Sequence, residues 1–107
     1  MVVQGYRYKF LRSAALEEAE KTLVLALLAA EGLFGRSRVR MDASWNCDES
    51  INVIVIDAGT LVGLTVSLIF TAFITAEFGP EAFDIRRVEW SQPTTASSIR
   101  NVAGGGK

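Results

Sequence analysis

The sequence predicts an α+β domain with the element order βαββαβ, and three observations carry that expectation. Residues 5–11 alternate, with Tyr6, Tyr8 and Phe10 on one side and Arg7 and Lys9 on the other, the period of a half-buried strand. Two long segments, one opening at Ser13 and closing at Gly32 or Gly35, the other opening at Thr60 and closing at Gly79, carry helix start and stop signals. Further β-patterned runs lie between and after them, so each helix is flanked by strands.

Ser13 stands where a side chain caps the first helix, with Glu17 and Glu18 in its positive first turns. Leu16, Ala19, Leu23, Ala26, Leu27, Ala30 and Phe34 then share one face, and Gly32 or Gly35 ends the helix. Val39, Met41, Ala43 and Trp45 alternate with Arg38, Arg40, Asp42 and Ser44, which predicts a second strand, and "NCDES" supplies the turn after it. "INVIVID", 51–57, is β-branched and apolar on both faces, as suits a central strand. Thr60 caps the second helix, and Gly79 with Pro80 stops it. "FDIRRVEW", 83–90, predicts the last strand, its apolar parity changing between Ile85 and Val88 as at a bulge near Arg86 and Arg87.

The two helices end alike, in "AAEGLFG" and "TAEFGPEAF", and each is followed by an Arg-containing strand. This order is similar to the split βαβ of the ferredoxin-like fold, which implies a sandwich of a four-stranded antiparallel sheet with two helices on one face. At 107 residues the chain makes one ferredoxin-like domain, 1–90, and the Ser-, Thr- and Gly-rich segment 91–107 is expected to be a flexible tail.

Ala58 to Ala76 carries no charge, a length that would span a hydrocarbon layer. On a helical wheel Val62, Val66, Ile69, Phe70 and Phe73 gather on one side, with Thr60, Ser67, Thr71 and Thr75 opposite, the asymmetry of a helix lying on a sheet. Asp57, Glu77 and Glu81 flank the segment, with no Lys or Arg to orient a span and no Trp or Tyr to anchor one. The expectation is a core helix with its polar stripe outward; membrane association through 58–76 is the alternative.

With half the residues apolar and a net charge of −1, the chain has no global pull toward nucleic acid or an anionic membrane. Cys47 is the single cysteine, and "MVVQGYRYKF" lacks the apolar run of a signal peptide, so a reducing, cytoplasmic location is expected. There is no His, which removes the usual zinc, copper and haem ligands and any Ser-His or Cys-His pair. No metal, cofactor or catalytic set is therefore expected. Asp42, Asp48, Glu49 and Asp57 surround one hairpin without the ligand spacing of a calcium loop, and read as a polar turn and a solvated strand end.

Two short motifs point to anions. "VIVIDAGT" resembles the phosphate-binding Asp-x-Gly-Thr turn of sugar kinases and other actin-like ATPases, which implies an anion near Gly59 and Thr60, at a helix N-terminus. "VQGYRYK", 3–9, resembles the acylphosphatase signature Val-Gln-Gly-Val-x-Phe-Arg, from a family with the same element order. That resemblance implies a phosphate-cradling loop, with Lys9 at the position of the phosphoryl-binding Arg and Asn46 as counterpart of the catalytic Asn. Arg7, Lys9, Gly59 and Thr60 are the anion-binding candidates. Base stacking on Tyr6 and Tyr8 is not expected, because turning them outward with Phe10 would drive Arg7 and Lys9 beneath the helices. Arg7, Lys9, Arg38, Arg40 and Arg86 instead make the open face a modest cationic patch, without sequence-specific reading of nucleic acid.

Hydrophobicity is in surplus. Val24, Leu25 and Leu28 lie outside the apolar stripe of the first helix, and strand 51–57 must turn either Val53 and Val55 or Ile54 and Ile56 away from both helices. Val24, Leu25, Leu28, Ile54 and Ile56 are the interface candidates of a homo-oligomer, most simply a symmetric homodimer. The sequence thus predicts a small non-catalytic interaction or regulatory module that self-associates through an apolar sheet or helix face, with a phosphate-handling enzyme or anion binder, or a membrane-associated protein, as alternatives.

Overall fold

The computed structural model describes residues 2–11 and 13–91. The chain runs β1 (Val2–Phe10), α1 (Ser13–Phe34), α2 (Arg36–Asp42), β2 (Trp45–Asp48), β3 (Val53–Asp57) and α3 (Leu61–Phe78), then, after a 3-10 turn over Pro80–Ala82, β4 (Phe83–Ser91). The strands form one four-stranded sheet in the order β2-β3-β1-β4, with every neighbouring pair antiparallel. Beyond Ser91, the segment expected to be a flexible tail lies outside the described residues.

Parity in the central strands sets the core. Tyr8 and Phe10 of β1, with Ile54 and Ile56 of β3, point to the helix side and are buried, while Arg7 and Lys9 take the open face. Above them lie Leu16, Ala19, Leu23, Ala26 and Ala30 of α1 and Val62, Val66, Phe70 and Ile74 of α3. The Tyr8 and Phe70 rings meet edge-on at 4.9 Å, an aromatic arrangement that adds to the area they bury. At α3 the Thr60 side chain accepts from the Gly63 amide at 2.9 Å and donates to the Asp42 carbonyl at 3.0 Å, so one hydroxyl caps α3 and ties it to α2.

Four expectations are corrected. Residues 36–42 are helix α2, not strand: Val39 and Ala43 are buried at i, i+4 spacing, and Met41, their alternate, is 81% exposed. The strand starts only at Trp45, so Asn46 and Cys47 lie in β2 rather than in a turn. The turn that follows holds Asn52 at φ 57 and is braced by the Ser50 amide and hydroxyl, both donating to Asp48 Oδ1. No bulge interrupts β4, whose register with β1 is continuous from Val2↔Ser91 to Phe10↔Phe83. The parity change arises because Val88 sits opposite Gly5 on the open face, while Arg87 follows Phe83 and Ile85 on the helix side, its guanidinium 5.9 Å from the Tyr6 ring centroid. Gly35, at φ 89, ends α1, and Gly32 remains inside it.

The polar stripe of α3 is the fourth correction. Ser67 is buried, and Thr71 faces the Tyr8 hydroxyl at 2.8 Å, so this part of the stripe turns toward the sheet, while Thr75 stays exposed. Thr65, Thr71 and Thr75 donate to the carbonyls of Leu61, Ser67 and Thr71, each four residues back. These hydroxyls are satisfied within the helix and do not require water.

Candidate functional site

The anion-binding candidates are not brought together. In the turn from Asp57 to Gly63 the Asp57 carboxylate accepts from the Gly59 amide at 2.7 Å, and the Thr60 hydroxyl is spent on the Gly63 amide. The protein's own buried carboxylate thus occupies the place the Asp-x-Gly-Thr likeness implies for an anion. Lys9 lies at the other end of β3, opposite Val53, with its Nζ donating to the Ile51 carbonyl at 2.6 Å. Four residues of strand, about 13 Å, separate that register position from Asp57.

"VQGYRYK" lies wholly within β1, paired with β4 throughout and with β3 from Gly5 to Lys9, so it forms no cradling loop. Asn46 does share a row of the open face with it: Asn46, Val55, Arg7 and Arg86 are successive partners across the sheet. Arg7 and Arg86 are therefore directly opposite neighbours of like charge, an arrangement that costs stability unless an anion lies between them. Neither makes an ion pair among the described residues. The open face is otherwise mixed in polarity: Val53 is buried between Asp48 and Lys9, and Asp84 lies opposite Lys9.

The interface candidates separate cleanly. Ile54 and Ile56 are buried beneath the helices and offer no surface, which corrects their assignment; Val53 and Val55 take the open face. Val24, Leu25 and Leu28 are 54%, 56% and 55% exposed on the outer side of α1. Sequence reasoning missed the residues that extend this surface: Leu68 of α3 is 63% exposed, and Leu33, Leu61 and Phe73 are also exposed. The signal was present in α3, which is apolar on all sides and so must place large side chains outward wherever its other face packs. From Thr22 to Ala30 on α1 and from Leu61 to Ala76 on α3 no charged residue occurs, and the two helices pack side by side. Each helix thus exposes large apolar side chains along an uncharged stretch.

Other groups are chemically quiet. Burial, followed by the charge and hydrogen bond of Glu20 and the charge of Glu49, pushes the Cys47 thiol up to about 12, which suppresses the reactive thiolate. Leu16, Glu17, Glu20, Glu49 and Asn52 line a shallow cleft nearby, but no group of carboxylates with metal-holding geometry occurs among the described residues. Helix α3 is long and apolar enough to cross a membrane by length and composition, with 33% of it buried in the fold. No protein-family model, curated protein or solved structure matches the chain.

Proposed function

We propose that this chain is a non-catalytic interaction module of ferredoxin-like topology, working in the cytoplasm, that self-associates through its helix layer. One observation carries the reading: Val24, Leu25 and Leu28 of α1 and Leu68 of α3 are all more than half exposed, on uncharged stretches of two helices that pack against each other. Large apolar side chains exposed in this way on a small domain favour burial against another surface. Thr65 and Thr75 of α3 strengthen the argument, since their exposed, back-bonded hydroxyls lose little when water is removed. The open sheet face is the weaker candidate because charged side chains surround its valines.

The topology has its own support. β1 and β2 both run antiparallel to β3, which lies between them, so they are parallel to each other as in a split βαβ unit. Helix α2 is then an addition to the connection between α1 and β2. The free, half-buried Cys47 fits a reducing compartment.

The test is the solution mass by light scattering at micromolar concentration. A dimer that becomes a monomer in the Leu25→Glu, Leu28→Glu double variant is expected, and a wild-type monomer sinks the reading. A monomer that sediments with lipid vesicles would instead assign the helix layer to a membrane.

A second reading, anion binding, has one observation in its favour: the unpaired Arg7 and Arg86 facing each other across β1 and β4. Titration with inorganic phosphate, followed by the amide resonances of β1 and β4, tests it. No shift at these strands up to millimolar phosphate would remove it.

A further inference from the structure

The helix layer is not only apolar; its two ends differ in net charge. Helices α1 and α3 run in opposite directions, because α1 follows β1, α3 follows β3, and those strands are antiparallel. One end of the layer therefore collects the start of α1 and the end of α3, with Glu17, Glu18, Glu77 and Glu81 against a single cation, Lys21, 3.5 Å from Glu18. The other end collects the last turn of α1, the start of α3 and α2, which packs against both; there Arg36, Arg38 and Arg40 outnumber Glu31 and Asp42. Arg38 is engaged, 3.7 Å from Asp42 and 5.0 Å from the Phe34 ring centroid. Arg36 and Arg40 are exposed and make no ion pair among the described residues. Glu17 and Glu18 precede Val24 and Leu25 by seven residues, two helical turns, and so share their outer side of α1. The surface reads net acidic, apolar, net basic along the helix axes.

We infer that two copies of this chain meet helix layer to helix layer in antiparallel fashion, the acidic end of each against the basic end of the other. The inference rests on the self-association reading above and adds its orientation. A two-fold axis lying in the interface plane at right angles to the helices lays the apolar middles on each other and sets Glu17 and Glu18 of one copy near Arg36 and Arg40 of the second. A two-fold axis along the helices would place acid on acid and base on base, and like-charge juxtaposition is what excludes wrong orientations at interfaces. The area is adequate. Helix α1 has 22 residues and is about 33 Å long, and two helices side by side are about 20 Å wide, which approaches the ~800 Å² per partner of a standard interface.

Two sets of measurements by analytical ultracentrifugation test the orientation. Between about 0.1 M and about 1 M salt the screening length falls from about 10 Å to about 3 Å, and the dissociation constant is expected to rise about three- to tenfold. The Arg36→Glu, Arg40→Glu variant and the Glu17→Lys, Glu18→Lys variant should each weaken their own homodimers at least about tenfold. An equimolar mixture should regain near wild-type affinity as a heterodimer, because both of its ends are again complementary. Recovery on mixing also shows that the variants are folded. A dimer that tightens with salt, or reversed-charge variants that homodimerise like the wild type, overturns the antiparallel orientation while self-association stands. A wild-type monomer at every salt concentration removes self-association itself, and the orientation with it.

Discussion

The phenolic oxygen of Tyr8 lies 2.8 Å from Oγ1 of Thr71, whose own hydroxyl donates to the Ser67 carbonyl at 2.7 Å. The Tyr8 hydroxyl also donates to the Ser67 carbonyl at 3.3 Å, so the three groups together tie the central strand to α3. Burial raises the Tyr8 pKa, against the opposing hydrogen bonds of Thr71 and Ser67. A phenol whose folded pKa is raised contributes stability that is whole below its unfolded value, about 10, and is lost as pH rises beyond it, since the unfolded chain ionises first. Tyr8→Phe should cost about 1 kcal/mol near neutral pH and lose less stability on going to alkaline pH than the wild type. Denaturant unfolding of both proteins at neutral pH and above pH ~10 checks the two statements; equal alkaline losses contradict the second.

One residue along the same network, the Ser67 hydroxyl is buried without a hydrogen-bond partner among the described residues. Its carbonyl serves Thr71, but its Oγ was desolvated for nothing. Ser67→Ala removes that group, leaves the carbonyl in place and improves helix propensity, so a gain of about 1 kcal/mol is expected. A lower melting temperature than the wild type would show that the hydroxyl has a use.

Gly63 sits where α3 leaves the end of β3 so closely that a Cβ would fall 2.0 Å from the Asp57 carbonyl oxygen. Backbone cannot step aside as a side chain can, so Gly63→Ala should destabilise by about 3 kcal/mol or more and spoil the Thr60 cap. Gly32, in the exposed part of α1, meets nothing within 4 Å, and Gly32→Ala should stabilise by up to about 1 kcal/mol. Paired thermal melts decide the matter, and similar effects from the two substitutions would contradict this close approach.

What the sequence made legible follows from how strongly each pattern is tied to burial. Tyr8 and Phe10 alternate with charges that cannot be buried, so one parity was forced, and Thr60 and Gly79 bound α3 with chemistry that has few other uses. Residues 38–45 misled because Val39 and Ala43 satisfy an alternating template and an i, i+4 template alike; only the exposure of Met41 separates the two. The α3 stripe was misplaced because a helix apolar on every side has no preferred face until a neighbour, here the Tyr8 hydroxyl, chooses one. Ile54 and Ile56 could not be told from Val53 and Val55 by sequence, since a strand apolar on both faces reads the same in either register.

Cys47 offers a chemical check on the packing of β2 against α1. With its thiol pushed up to about 12 by burial first and by Glu20 and Glu49 after it, little thiolate exists near neutral pH. Alkylation at about pH 8 should be at least a hundredfold slower, in order of magnitude, in the folded protein than in denaturant. The raised pKa also carries a sign: the stability tied to the protonated thiol is whole below about 9 and declines as pH rises toward 12. Cys47→Ala should flatten part of that alkaline decline, and rapid alkylation of the folded chain would mean that β2 opens.

The sharpest division the structure makes is between two leucine-sized side chains that the sequence treats alike. Leu28 is 55% exposed on the outer face of α1, whereas Ile54 is fully buried against the core. Glutamate at position 28 adds charge to a surface and should leave the far-UV circular dichroism and melting temperature nearly unchanged while lowering the solution mass to that of a monomer. Glutamate at position 54 places an unpaired carboxylate beneath both helices, a penalty of several kcal/mol, and should abolish cooperative unfolding at any concentration. If Leu28→Glu unfolds the protein, α1 turns a different face to the core; if it stays folded and dimeric, the helix layer is not the surface through which copies meet.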